Sequence, residues 1–216
     1  MAGMKLQRAG ALSASLAAAV ISAAQAAPSG QDILTRAAAA AGLSSYSVPA
    51  HFDVKMHRPI SMRSGVDGTA YFKAPAKAAI AITHVPGPLG SFFKGSYTLD
   101  MLPQTWPSKY VVTSVEQGQS GGTPAYLLRA VPKNDPTVDH VTFGVAIANN
   151  QAISAQWSYK DGSSVALTIR NAEIQGYALP QSETISVAMP KYNLDATATY
   201  GQYSINAPVS DSVFSH

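Results

Sequence analysis

Four groups of residues in this chain have types and spacing that could do chemistry. Gly118-x-Ser120-x-Gly122 matches the nucleophile-elbow pattern, in which a strained strand-to-helix turn exposes a Ser hydroxyl for attack. A strand pattern precedes it, but Thr123-Pro124 and a second strand pattern follow, so the spacing predicts a Gly/Ser hairpin. Ser91-Phe92-Phe93-Lys94 has the Ser-x-x-Lys spacing that lets a Lys activate a Ser, yet its companion motifs are missing and two Phe suit packing better. Asp135, Asp139 and His140 are metal-ligand types, but they flank Pro136 in a polar connection, where Asp is a common turn former. His51, Asp53 and His57 alternate onto one strand face, which is expected to be wet. Without Cys, and without a close His pair on a helix, they make a weak metal site. On these grounds no catalytic residue, metal or cofactor is assigned, and the reading favours binding over an enzyme. The alternative left open is an exported hydrolase whose carboxylates pair only in space.

The elements that carry these residues are mostly strands. One helix is punctuated clearly. Ser29 and Asp32 form a capping-box-like start, Ile33, Leu34, Ala37, Ala38 and Ala41 make an apolar stripe, and Gly42 is a stop. Its modest stripe should lie against a sheet. Then the period changes to two. Phe52, Val54 and Met56 point one way, while His51, Asp53, Lys55 and His57 point the other. Further strands are predicted over 68–73, 78–85, 110–116, 125–131, 140–148, 153–160, 165–170, 173–177, 184–189 and 196–200. Their turns fall at the Gly-rich run 118–122, at Asn149-Asn150 and at Asp161-Gly162, the strongest hairpin signal in the chain. About ten short strands without strand-helix-strand alternation mean one antiparallel sheet.

One segment departs from this rhythm. Residues 84–109 hold Pro86, Pro88, Pro103 and Pro107, and carry Leu89, Phe92, Phe93, Leu99, Met101, Leu102 and Trp106. So long and apolar a connection is unusual. It serves either as an irregular cover packed into the core or as a lid over an apolar cavity. Under the second reading Leu89, Phe92, Phe93, Leu102 and Trp106 meet a ligand from one side, and Phe52, Val54, Met56, Ile80 and Ile82 from the other.

Lys5 and Arg8, an apolar run from Ala9 to Ala24, and Ala24-Gln25-Ala26 follow the order of a secretory signal peptide: basic, apolar, cleavable. Residues 1–26 are therefore read as a signal, and 27–216 as one exported domain. Losing Lys5 and Arg8 takes the basic residues from 15 to 13, against 12 acidic, so the remaining charge is nearly balanced. That gives no electrostatic reason to bind nucleic acid. With no Cys, lipid attachment through an N-terminal Cys is ruled out and the core alone must hold the fold. An outer-membrane β-barrel also alternates, but it expects aromatic girdles, and this chain has two Trp.

In its order of elements the chain resembles the LolA-like superfamily of periplasmic lipoprotein and lipid carriers. The capped helix comes first. Gly68-Thr69-Ala70-Tyr71-Phe72-Lys73-Ala74-Pro75 is similar to the family's Gly-x-apolar-x-Phe-x-x-Pro strand, and 127–133, ending Pro132-Lys133, to its Leu-x-Leu-x-Pro strand. Val141, Phe143 and Val145, then Ile153, Gln156 and Tyr159, then Asp161-Gly162 resemble its central hairpins, and Leu179-Pro180 through Asn206, with Phe214, its close. The resemblance implies a curved antiparallel half-barrel with covering helices, acting in the periplasm on the acyl chains of a lipoprotein or lipid. It also implies membrane-bound donor and acceptor proteins as partners. One position departs from the pattern: where lipoprotein carriers often place an Arg after the Pro of the second strand, Pro75 is followed by Ala76 and Lys77.

Overall fold

The computed structural model describes residues 28–39, 42–84 and 102–214. The signal-peptide reading, Ser91, Lys94 and the ligand-binding candidates Leu89, Phe92 and Phe93 lie outside the described residues.

The chain opens on helix α1, Gly30–Ala39. Its start is capped as the sequence predicts: the Asp32 amide donates to Ser29 Oγ at 3.2 Å, and the Ser29 hydroxyl donates to the Asp32 carboxylate at 2.7 Å. Ile33, Leu34 and Ala37 are buried, and Gly42 takes the positive φ of a C-terminal stop.

Eleven antiparallel strands follow in one sheet. They are β1 (Ser45–Arg58), β2 (Met62–Lys73), β3 (Lys77–His84), β4 (Tyr110–Ser120), β5 (Thr123–Pro132), β6 (Val138–Ala146), β7 (Ala152–Tyr159), β8 (Ser164–Ile174), β9 (Tyr177–Ala188), β10 (Asn193–Tyr200) and the short β11 (Ser204–Ile205). The ladder runs β3-β2-β1-β10-β9-β8-β7-β6-β5-β4, with β11 beside the start of β1. Among the described residues only β1, through β10 and β11, pairs with strands far away in sequence; the rest of the path is hairpins, and β3 and β4 end the described ladder. The sheet curves so that Phe52 on β1 and Phe143 on β6 belong to one packed cluster. Between β3 and β4 the described chain forms a 3-10 turn, Pro103–Thr105, and a one-turn helix α2, Trp106–Lys109.

Two departures from the predicted strands have physical reasons. Residues 173–177 are not a separate strand: β8 continues to Ile174 and β9 begins at Tyr177, with Gln175 (φ 53°) and Gly176 (φ 82°) as the turn. Left-handed backbone at both central positions matches the twist of the flanking strands, but Gln is not a residue that announces it. Strand β1 starts six residues before His51 and runs through Pro49. Pro49 has no N–H to give, and it faces the gap where β10 stops at Tyr200 and β11 has not yet begun. Its carbonyl there accepts from the Gly201 amide at 2.8 Å.

Helix α1 lies against the β4 side of the inner face. A Cβ on Gly30 would come within 2.5 Å of both Val112 and Val115, so only Gly allows this approach. The Gln31 side-chain oxygen accepts the Val112 amide at 3.1 Å, which occupies one donor of the free β4 edge.

Candidate functional site

The alternation seen in β1 continues across the sheet. Phe52, Val54 and Met56 are joined on the inner face by Leu128, Val141, Phe143, Val165, Leu167, Ile169, Ile185, Val187 and Leu194, all buried in one cluster with α1 and Trp106. A second cluster extends the same face toward the start of β1, around Tyr46, Val48, Phe72, Leu102, Leu179 and Tyr203. Ile80, on edge strand β3, packs against both clusters and is only half-buried, as is Ile82.

The ligand-binding residues expected from sequence therefore take different places. Phe52, Val54 and Met56 are packed into the first cluster, and Ile80 and Ile82 are less covered beside it. Leu102 joins the second cluster. Trp106 is fully buried, stacked on Phe143 with centroids 4.3 Å apart. Lys77, the residue nearest the position of the carriers' Arg, pairs with Asp211 at 2.9 Å beside Lys73 at 3.0 Å, and so ties the C-terminal turn to β3.

One polar side chain interrupts the apolar face, and the sequence reading missed it. Glu183 on β9 is 1% exposed. Its ladder partners are Ala198 and Ile169. The Tyr200 hydroxyl donates to Oε2 at 2.9 Å, while Oε1 is buried with no hydrogen-bond partner among the described residues. Burial pushes the carboxyl up to about 8, against the opposing pull of the Tyr200 bond. Burial likewise raises the phenols of Tyr46 and Tyr200, and both feel the Glu183 charge. The signal was present in the chain: Ile185 and Val187 face inward, and the same phase two residues earlier falls on Glu183.

Gln104 Oε1 is also buried without a hydrogen-bond partner among the described residues. It lines a small pocket with Gln151, Asn171, Ala37 and Pro180, whose room of about 20 Å³ suits a water.

The motifs that suggested chemistry take structural places. Ser120 ends β4, Gly121 and Gly122 form the turn with positive φ, and strand β5 follows immediately. Its hydroxyl meets Ser154 Oγ at 2.7 Å. Ser120→Ala should cost about 1 kcal/mol or less, the usual net worth of one neutral hydrogen bond, and leave biological activity intact. Thermal denaturation and an activity assay on one preparation check this, and a folded but inactive variant would restore Ser120 as a nucleophile. Asp135 accepts the amide and hydroxyl of Thr137 within its own turn, and Asp139 binds His140 at 2.7 Å. On the outer face, His51 is drawn to Asp67 at 2.6 Å, which raises its pKa, and His57 to Asp195 at 2.9 Å. Ser186 donates to that same Asp195 at 2.7 Å. The acid thus stands between Ser and His, whereas Ser activation needs the His in the middle. Among the described residues no three His, Asp or Glu side chains converge as a metal site, and no helix is long and apolar enough to cross a membrane.

No protein-family model and no curated relative matches the chain. Solved structures match its fold. A LolA superfamily protein from Nitrosomonas europaea superposes with a TM-score of 0.65 at 14% identity, over 87% of this chain and 98% of that one. An outer membrane lipoprotein-sorting protein domain from Vibrio parahaemolyticus gives 0.61 at 9% identity, over 86% and 95%. A DUF1329 family protein from Desulfovibrio piger gives 0.61 at 12%, over 87% and 96%. The chain has the LolA-like fold: a curved, open antiparallel half-barrel with few helices.

Proposed function

We propose that this chain is a periplasmic carrier that shelters the acyl chains of a lipoprotein or lipid against the inner face of its half-barrel, and that membrane-bound donor and acceptor proteins load and empty it. The observation that carries this reading is the continuity of the apolar face across the sheet, from Ile80 and Ile82 at the β3 edge, over Phe52, Val54 and Met56, to Trp106 and Phe143. Among the described residues the ladder does not close between β3 and β4, so its two arms can part without breaking it. Ile80 and Ile82, half-buried at one edge, form the side of entry, and Trp106 the far wall. The likeness of fold to a lipoprotein-sorting domain supports the same reading. The physics is favourable: each methylene withdrawn from water is worth about 0.8 kcal/mol, so a long acyl chain supplies the free energy to displace a cover.

The full-length chain, expressed with residues 1–26, should be released by osmotic shock with its N-terminus at or near Ala27 and with acyl lipid bound. Mass spectrometry of the purified protein and its organic extract reads both. An extract without acyl lipid, from protein whose Trp fluorescence also ignores added lipopeptide, would remove the carrier reading.

A further inference from the structure

Glu183 is the break in an otherwise apolar face. It lies where the two apolar clusters meet: Tyr200 packs against both, Leu179 precedes it on β9 in the second cluster, and Ile185 follows in the first. The titratable groups around it are the phenols of Tyr46, Tyr200 and Tyr203. Tyr203 spends its own proton on the Pro180 carbonyl at 2.7 Å. Among the described residues no Lys, Arg or His pairs with the carboxyl. A carboxyl in so dry a place, with no cation beside it, keeps its proton at neutral pH. Since Oε2 accepts the Tyr200 hydroxyl, that proton belongs on Oε1, the atom without a partner among the described residues. A buried donor left unpaired is destabilising, and what satisfies it is an acceptor.

The geometry points to Glu183 as a head-group subsite within the inner face, where Oε1–H donates to the carbonyl oxygen of an uncharged acyl ester or amide while the hydrocarbon lies along the flanking apolar residues. This rests on the acyl-carrier reading and narrows it. The preferred ligand carries its chains as esters or amides, and a free carboxylate is disfavoured, because its charge would enter the same dry site without a cation.

The test compares methyl dodecanoate, dodecane and dodecanoate on the full chain near pH 7, by titration calorimetry. Methyl dodecanoate should bind at least tenfold more tightly than dodecane, the equivalent of one hydrogen bond of about 1.4 kcal/mol. Dodecanoate should bind more weakly than the ester. In Glu183→Leu the preference for ester over dodecane should vanish while dodecane affinity is kept. Glu183→Gln retains an N–H donor and should keep most of the preference, which covers the case where the Leu variant does not fold. Infrared spectroscopy of the wild-type chain gives a readout that a purely structural role would not move. The protonated-carboxyl stretch that Glu183→Gln abolishes should shift when methyl dodecanoate binds and stay in place with dodecane. Equal binding of ester and dodecane with an unmoved band would overturn the subsite and leave the acyl-carrier reading standing. Binding of none of the three probes would overturn both.

Discussion

Glu183→Gln should stabilise the protein at alkaline pH and leave it nearly unchanged in mild acid. Burial holds the Glu183 carboxyl up to about 8 in the folded chain, against an ordinary value of 4.5. A carboxyl raised in this way favours folding below its unfolded value, where it is neutral in both states. That contribution is lost as pH climbs from about 4.5 to about 8, because the unfolded chain gives up its proton first. Within that window the folded state holds the proton against the solvent, and above it the folded state buries a charge. The difference spans a few pKa units at about 1.4 kcal/mol each, so the total loss is on the order of 5 kcal/mol. Gln has the shape of Glu and no such titration. Melting temperatures of wild type and variant, measured at several values between about pH 4 and pH 9, should diverge in the variant's favour as pH rises. Taking the difference cancels the exposed carboxylates and histidines common to both proteins. Parallel curves across the whole range would mean that Glu183 is hydrated, and the dry inner face would have to be redrawn around it.

How far the sequence carries depends on whether a feature is periodic or singular. The alternation of Phe52, Val54 and Met56 identifies a face without any knowledge of its neighbours, because a strand offers only two directions. The capped helix was legible for a similar reason: Ser29, Asp32 and Gly42 each make a local bond or adopt a local φ. The Gln175-Gly176 turn was not, since Gln at positive φ is selected by the twist of the two strands it joins. Glu183 was hidden differently. Its phase is readable from Ile185 and Val187, but a charged residue at an inward position argues locally against burial. Only the assembled face, with the Tyr200 hydroxyl in place, shows that it is inside. The sequence marks Trp106 as a large apolar side chain in an unusual connection but does not decide between cover and lid. No local pattern distinguishes an apolar side chain that packs permanently from one that opens, because both are apolar.

Trp106→Ala distinguishes them. The indole is fully buried, stacks on Phe143 at 4.3 Å and meets the Trp157 ring edge-on at 6.5 Å. Trp157 in turn donates its Nε1–H to the Tyr110 hydroxyl at 2.8 Å, so the four rings brace the entry to β4. Thr105 and Ser108 close the turn around it, their hydroxyls donating to the carbonyls of Leu102 and Thr105 at 2.9 and 2.7 Å. Removing an indole from such a site loses its transfer free energy and leaves a hole that a curved sheet can only partly collapse, which costs about 3–5 kcal/mol. For a domain of this size that is a fall of roughly 6–20 °C in Tm. Trp106→Phe keeps a ring against Phe143 and should lose clearly less. A lid gives the opposite result. If residues 102–109 lift away in the free protein, most of that burial is absent much of the time, and Trp106→Ala would cost under about 1 kcal/mol while weakening lipopeptide binding in proportion to the apolar area lost. Measuring Tm and lipopeptide affinity on the same variant separates the two outcomes. A large drop in Tm with unchanged affinity per folded molecule makes Trp106 a fixed wall of the binding face. In that case the movement that admits a ligand belongs to the β3 side, where Ile80 and Ile82 are already half open to solvent.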